Sequence, residues 1–295
     1  MQQDIFGLPR TYCKDTTIFV SLCLTIGMID ISIQFGQEDI NFLASLLRES
    51  GEMMMRIYVE DYSWDLHFKD DKSPVTKADT MSDDFIRKAL AQRYPEFPII
   101  SEEGENEHFD IRSKYSTFWL LDPLDGTKEF IHKTGEFTIN LALVHNNQPM
   151  IGFIYAPFTK MTYVGIRGNG SIKIDRYGLK TPMYASTFSM QDEGIRVLKS
   201  RHGIDEKTQV FISKLQNPVI STRGSALKFV AIAEGEADYY PRMINIMEWD
   251  TAAGQILIEE AGGKLIEAAT GEPLKYNTPS MRIPYFIAMG RVINE

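Results

Sequence analysis

At 295 residues, with 43% hydrophobic and 24% charged side chains, the chain has enough apolar material to bury one or two substantial cores, which excludes an intrinsically disordered protein. Its 40 acidic against 31 basic residues give a formal net charge of -9, so no diffuse field draws it to nucleic acid or to an anionic membrane. A polyanionic ligand must therefore be met by a local device, of which a carboxylate-held divalent cation is the obvious one.

Residues 1–36 read as an N-terminal extension, and both cysteines, Cys13 and Cys23, lie in it, which makes no disulfide framework and fits a reducing compartment. Ile18 to Ile33 is apolar but interrupted by Ser21, Thr25, Gly27, Asp30 and Ser32, too short and too broken for a membrane span. Asp4, Arg10, Lys14 and Asp15 before it lack the basic start and small-residue cleavage site of a signal peptide. The stretch is expected to be a packed extension or the product of an upstream start codon, with Met28 as the alternative start. The expected compartment is the cytoplasm, either free or peripheral to the inner membrane face.

A metal-binding α+β domain is expected over 37–175. Ile40, Leu43, Leu47, Met54 and Ile57 are spaced as one face of a first long helix. After Ser73-Pro74, a second helix from Thr76 points Met81, Phe85 and Ala89 inward and carries Asp79 in its first turn. Two β-type runs, Phe97 to Ser101 and Thr117 to Leu121, each end in acidic residues. Phe137 to Val144, Met150 to Tyr155, Met161 to Ile166 and Ser171 to Ile174 follow, with Asn146-Asn147 and Gly168-Asn169-Gly170 between them, as an antiparallel meander. Over 176–295 the pattern becomes α/β: runs at Ile195 to Lys199 and Pro218 to Ser221 separate helices at Asp205 to Leu215 and Ser225 to Glu234. A last helix, Asp250 to Ala261, puts Ile256, Leu257 and Ala261 on its apolar stripe and stops at Gly262-Gly263. This substrate-side domain contributes Asp250 to the site.

The chemistry gathers where strands end. Trp119 to Leu121 runs into Asp122-Pro-Leu-Asp125-Gly-Thr127-Lys128, in which Pro123 stiffens and Gly126 permits a sharp turn that aims Asp122, Asp125 and the carbonyl of Leu124 at one point. Hard oxygen donors of this kind suit magnesium. The N–H groups of Gly126 to Lys128 open a short helix facing a phosphate. Taken alone, this segment is also good surface-turn chemistry. Glu102-Glu103 closes another apolar run, and Glu248-Trp249-Asp250 precedes a helix, where Asp250 serves as an N-cap, a metal ligand, or both through its two oxygens. Two cations roughly 3.5–4 Å apart activate a water and stabilise a leaving oxygen in such sites. Thr127 is placed to orient that water, and Asp79 to accept from Thr127, although an acidic residue in a first helical turn is ordinary by itself. Lys228 and Arg242 are positioned in the second half to meet a further phosphate, or are two solvated cations.

From about Glu38 to Arg291 the chain resembles the inositol monophosphatase-like superfamily of metal-dependent, lithium-sensitive phosphatases, on the ordered motifs Glu102-Glu103, Asp122 to Thr127 and Trp249-Asp250. The resemblance implies a layered α-β-α-β-α sandwich. It implies two or three Mg2+ ions on Glu102, Asp122, the Leu124 carbonyl, Asp125 and Asp250, with Asp79, Thr127 and Glu102 as the catalytic residues. Within the superfamily the chain is most similar to the 3'(2'),5'-bisphosphate nucleotidases of the CysQ type. That likeness rests on Ser73 to Asp79, Asp122 to Phe130, Gly135 to Asn140, Gly224 to Phe229, Tyr240 to Arg242 and Trp249 to Gly254. It implies hydrolysis of the 3'-phosphate of adenosine 3',5'-bisphosphate to AMP and phosphate by metal-activated water, clearing a nucleotide left by sulfate activation and sulfotransfer. Gly126, Thr127, Lys128, Gly224, Ser225, Lys228, Arg242 and Asp250 would surround this small-molecule substrate; no nucleic-acid partner and no stable membrane span are implied. Departures are Ala226, where Ser is frequent, and Glu248 before Trp-Asp, both expected near the substrate end. The rival readings are an inositol or sugar (bis)phosphatase and a non-catalytic nucleotide-binding regulator.

Overall fold

Helix α1 (Gln37–Val59) is the first element, with Glu38 and Asp39 in its first turn, where the helix dipole favours them. The computed structural model describes residues 35–60, 67–68, 74–201 and 206–293, and the expectations for Ile18 to Ile33, the two cysteines, Ser73 and a helix start at Asp205 lie outside them. The chain divides into two compact units, Met1–Leu43 and Ala44–Glu295. The first contributes the start of α1; everything below concerns the second. Among the described residues no helix is long and apolar enough to cross a membrane.

A two-residue ladder pairs β1 (His67–Phe68) with β2 (Pro74–Val75), and α2 (Lys77–Arg93) follows. It buries Ala78, Ser82, Ile86 and Leu90, whereas Met81, Phe85 and Ala89 are only half-buried. The inward stripe is thus one residue out of phase with the expected one. Polar side chains occupy the true inner face: Ser82 donates to the Pro123 carbonyl at 2.9 Å and meets Ser50 of α1 at 2.8 Å, and Asp83 accepts from Ser101. Hydrophobicity alone therefore selects the wrong stripe.

The first sheet contains β3 (Ile99–Ser101), β4 (Thr117–Asp125), β5 (Thr138–His145), β6 (Gln148–Ala156), β7 (Met161–Ile166), β8 (Gly170–Ile174) and β9 (Lys180–Met183) in sequential order. Only β3 and β4 run parallel; the rest is the expected meander. Short helices α3 (Phe109–Arg112) and α4 (Thr127–Ile131) flank β4. The sheet continues beyond Asp175 through β9, an edge strand whose Lys180, Thr181 and Pro182 are exposed, so it shows no apolar run. Strand β4 is buried on both faces: Trp119 meets Tyr94 at the end of α2, while Phe118 and Leu120 enter the core on the other side.

After β10 (Thr187–Phe188), the second half supplies β11 (Arg196–Ser200), α5 (Glu206–Ile212), β12 (Val219–Arg223), α6 (Leu227–Ala233), β13 (Tyr239–Arg242) and β14 (Ile246–Met247). A 3-10 turn (Glu248–Asp250) leads into α7 (Ala252–Glu260), then β15 (Lys264–Glu267), β16 (Arg282–Ile283), β17 (Phe286–Met289) and β18 (Arg291–Val292). The second sheet has the order β12-β11-β13-β17-β15, while β10 pairs with β18 and β14 with β16. Its C-terminal strands were not assigned from sequence. Phe229, Ile232, Leu257 and Ile258 of α6 and α7 share one core with Leu120 and Ile154 of the first sheet and Tyr240 and Phe286 of the second. Ile212 of α5 packs with Val197, Tyr239 and Ile287 on the far side of the second sheet. The layers thus run helix, sheet, helix, sheet, helix.

Candidate active site

Three separate chain segments deliver carboxylates to one place. The Glu102 N–H donates to the Leu121 carbonyl at 3.1 Å, which extends the parallel β3–β4 pairing and sets Glu102 beside Asp122. Residues three apart on a regular strand face opposite sides, so Asp122 and Asp125 should diverge. A bulge prevents this. Asp122 pairs with Asn140 and Asp125 with Thr138, so the step of three on β4 matches a step of two on β5, and both aspartates share a face. The segment expected to be a turn is this bulged strand end, and the sharp change of direction comes one residue later at Gly126, with φ at 91°. Asp250 arrives from the 3-10 turn, its Oδ2 accepting from Met247 N at 2.8 Å. One carboxylate oxygen from each of Glu102, Asp122 and Asp250 lies within 4.8 Å of the others.

Asp79 and Thr127 stand beside them. The Asp79 Oδ2 accepts from the Thr76 N–H at 2.7 Å and its hydroxyl at 2.6 Å, which caps α2, while Oδ1 accepts from Thr127 Oγ1 at 3.2 Å. Thr127 Oγ1 also lies 3.5 Å from the Leu124 carbonyl. Asp79 and Asp250 are built alike: a cap fixes one oxygen and thereby aims the other.

Asp125 is held from a different direction. Its Oδ2 accepts from Ser225 Oγ at 2.8 Å and from Asn140 Nδ2 at 3.2 Å. Ser225 sits at φ 53°, an uncommon conformation for a residue with a side chain. The preceding Gly224 donates its N–H to Glu136 Oε2 at 2.8 Å, and a Cβ there would come within 2.8 Å of the Glu136 carbonyl oxygen. Arg201 holds the same Glu136 carboxylate at 2.5 Å.

Burial and mutual repulsion dominate the electrostatics. Burial, then the charges of Glu102, Asp125, Asp250 and Asp79, raise Asp122 well above the usual carboxylate range. Burial, followed by Asp125 and Glu102, pushes Asp250 up to about 8. Burial raises Asp125 too, against the opposing influence of Lys228, Ser225 and Asn140. Burial raises Asp79, against its hydrogen bonds from Thr76 and Thr127. Buried carboxylates so close together stay ionised only beside compensating positive charge, and an all-oxygen donor set fits a hard divalent cation such as magnesium.

A model of the inositol monophosphatase family matches residues 36–291. The chain belongs to the inositol monophosphatase family. It is 35% identical over 255 residues, 86% of its own length and 94% of the relative's, to a protein of Buchnera aphidicola subsp. Acyrthosiphon pisum (strain APS) named 3'(2'),5'-bisphosphate nucleotidase CysQ. The protein of the same name from Escherichia coli (strain K12) is 34% identical over 237 residues, covering 79% of this chain and 92% of the relative. Among solved structures it is similar to CysQ from Bacteroides thetaiotaomicron, a bacterial member of the inositol monophosphatase family, with a TM-score of 0.73, 34% identity, and coverage of 85% of this chain and 97% of that one. Membership makes the chain a phosphatase with the layered sandwich described above.

The remaining site residues of this phosphatase family member separate into two groups. Lys128 is exposed on α4. Lys228 is buried, with its ammonium donating to the carbonyls of Ser225 at 2.6 Å and Arg223 at 3.4 Å; burial lowers it to about 8, against the pull of Asp125. Arg242 is half-buried near Lys228 and Tyr240, and its buried Nε has no acceptor among the described residues. Glu248 is not at the substrate end. Its carboxylate is buried and accepts from Asn277 N at 2.6 Å, Thr278 N at 2.7 Å and Thr278 Oγ1 at 2.6 Å, which anchors a C-terminal loop. Ala226 is buried in the core below α6. An apolar cavity of about 570 Å³ beside Phe211, Met243 and Tyr285 includes none of the site carboxylates. Thr138 and Asn140, two positions apart on β5, face the side of Asp122 and Asp125 and are site residues that the sequence motifs leave without a role.

Proposed function

We propose that this phosphatase hydrolyses the 3'-phosphate of adenosine 3',5'-bisphosphate to AMP and phosphate, with two or three Mg2+ ions held by Glu102, Asp122, the Leu124 carbonyl, Asp125 and Asp250. Magnesium, when bound, supplies the charge that neutralises these carboxylates and the phosphate and makes a water acidic enough to serve as the nucleophile. Thr127 accepts a hydrogen bond from the attacking water while its own hydrogen points to Asp79 Oδ1, so the proton leaves along a path ending on a carboxylate whose other oxygen is tied to the cap of α2. Glu102 faces the reacting water from the end of β3. The N–H groups of Gly126, Thr127 and Lys128 receive phosphate oxygens where the chain turns into α4, and Gly224 and Ser225 border the same space.

The observation that carries the nucleotide reading over a monophosphate one is the Arg242 guanidinium within electrostatic reach of the Lys228 ammonium, on the second sheet's side of the carboxylates. Two neighbouring cations repel each other and are stabilised by an anion, which a second phosphate supplies. The names borne by the Buchnera and Escherichia relatives support the same substrate class. Phosphate release from adenosine 3',5'-bisphosphate, compared with inositol 1-phosphate and fructose 1,6-bisphosphate on one purified sample, tests the reading. The nucleotide is expected to be turned over fastest, with turnover lost on chelation; faster release from inositol 1-phosphate refutes the substrate assignment.

A further inference from the structure

Asp125 differs from the other site carboxylates in what holds it. Asp79 and Asp250 are aimed by backbone caps, whereas Asp125 Oδ2 is held by two side chains, Ser225 at 2.8 Å and Asn140 at 3.2 Å. Both of these touch a fourth group. Thr138 Oγ1 donates to Asn140 Oδ1 at 2.9 Å and lies 2.6 Å from Ser225 Oγ. Each hydroxyl has one hydrogen: that of Ser225 goes to Asp125 and that of Thr138 to Asn140 Oδ1, so a relay runs from Thr138 through Asn140 to Asp125, with Ser225 packed against the Thr138 oxygen as the second donor to the carboxylate. Thr138 and Asn140 are fully or almost fully buried, so water cannot substitute for either.

We propose that Thr138 is a positioning residue for Asp125, acting through Asn140 to fix the carboxylate on Oδ2 and so present Oδ1 to the cation. This rests on the reading of Asp125 as a cation ligand. An Asn amide alone has two flipped states of similar shape; the bond from Thr138 to Asn140 Oδ1 selects the one that turns Nδ2 toward Asp125. The Ser225 hydroxyl is directed by Asp125, to which it gives its one hydrogen. Ser225 lies on the β12–α6 loop and Thr138 on β5, so their contact also ties the second half of the chain to the metal-binding strand. Groups that orient a ligand in this way typically change metal affinity or activity by about 10–100-fold when removed.

The test is direct cation binding by the full chain: calorimetry with Mg2+, and electron paramagnetic resonance with Mn2+, on the wild type, Thr138→Val, Thr138→Ser, Asn140→Ala, the Thr138→Val/Asn140→Ala double variant and Asp125→Asn. Valine keeps the β-branched shape and loses only the hydroxyl. Thr138→Val is expected to weaken binding by about 10–100-fold, Thr138→Ser to restore it, and the double variant to bind no more weakly than Asn140→Ala alone, because both changes break one relay. Wild-type binding by Thr138→Val, or losses that multiply in the double variant, overturn the proposal. If Thr138→Val does not fold, Asn140→Ala decides, and unchanged binding there overturns it as well. Unchanged binding in Asp125→Asn removes the ligand assignment itself, a failure distinct from that of the positioning relay.

Discussion

Gly165 in β7 stands directly across from Gly152 in β6, and α7 crosses the sheet over this pair. A Cβ on Gly165 would lie 2.8 Å from Leu257 N and Cα, and one on Gly152 would lie 2.8 Å from Ala253 Cα. Ordinary contact begins near 3.4 Å, so Gly165→Ala forces the α7 backbone back by about 0.6 Å, the difference between 3.4 and 2.8 Å. Backbone cannot rotate aside as a side chain can. Overpacking of this kind costs about 1–3 kcal/mol, equivalent to roughly 2–4 °C of melting temperature for each kcal/mol in a large domain. The more telling consequence is catalytic: only Thr251 separates α7 from Asp250, so the helix carries Asp250 away from Glu102 and Asp122 as it retreats. A misplacement near 1 Å costs about 100-fold in rate, so a loss of roughly 10–100-fold in phosphate release is expected. Gly168→Ala is the control. It has open space and φ 76°, so it costs about 1 kcal/mol in backbone strain without touching α7. Phosphate release at saturating magnesium and thermal melting are measured on both. Wild-type turnover in Gly165→Ala, or an equal loss of turnover in Gly168→Ala, refutes the reasoning.

In the presence of chelator, Asp122 and Asp250 bind protons more tightly in the folded chain than their ordinary value of 3.8 allows in the unfolded one, so their contribution to stability is full below that value and is lost as pH rises toward about 8. The melting temperature of the chelated protein is therefore expected to fall across this window and the slope to shrink when magnesium is added; a rising profile contradicts the crowded-carboxylate account. Asp122→Asn should abolish turnover and yet raise the melting temperature of the chelated protein at pH 7 to 8, since one of the repelling charges is gone. Thr127→Val should lower kcat by about 10²–10⁴-fold with little change in substrate affinity by calorimetry; a change in affinity alone would remove Thr127 from the proton path. Glu248→Ala strips three short hydrogen bonds from a buried loop anchor and should cost roughly 3 kcal/mol or more in urea unfolding, and an unchanged midpoint would show that the loop is held otherwise.

Motifs legible in the chain are those whose physics is local. The apolar runs before Glu102 and Asp122 and the Asn146-Asn147 and Gly168-Asn169-Gly170 turns depend on neighbours a few positions away, and each appears where expected, whereas Asp250, expected as the N-cap of the last helix, is the final residue of the 3-10 turn and caps Met247 N, with α7 starting at Ala252 behind Thr251. Where burial is polar, the same reasoning misleads: Ser82 and Asp83 lie on the inner face of α2, and Glu248 is buried away from the substrate end, because a distant partner satisfies each of them. Strands β13, β15 and β17 carry too few residues to show a period, and their pairing is set by chain neighbours remote in sequence.

The sequence by itself determined the donor types, their order, and the strand and helix ends that present them, since a carboxylate at the end of an apolar run is visible without a partner. Only the tertiary structure decided that Asp122 and Asp125 share a face, through one extra residue in β4 opposite β5, and that Ser225 closes on both Asp125 and Thr138. Strand register and the meeting of side chains 87 positions apart are properties of pairing, and pairing energy depends on contacts that exist only once both segments have been brought together.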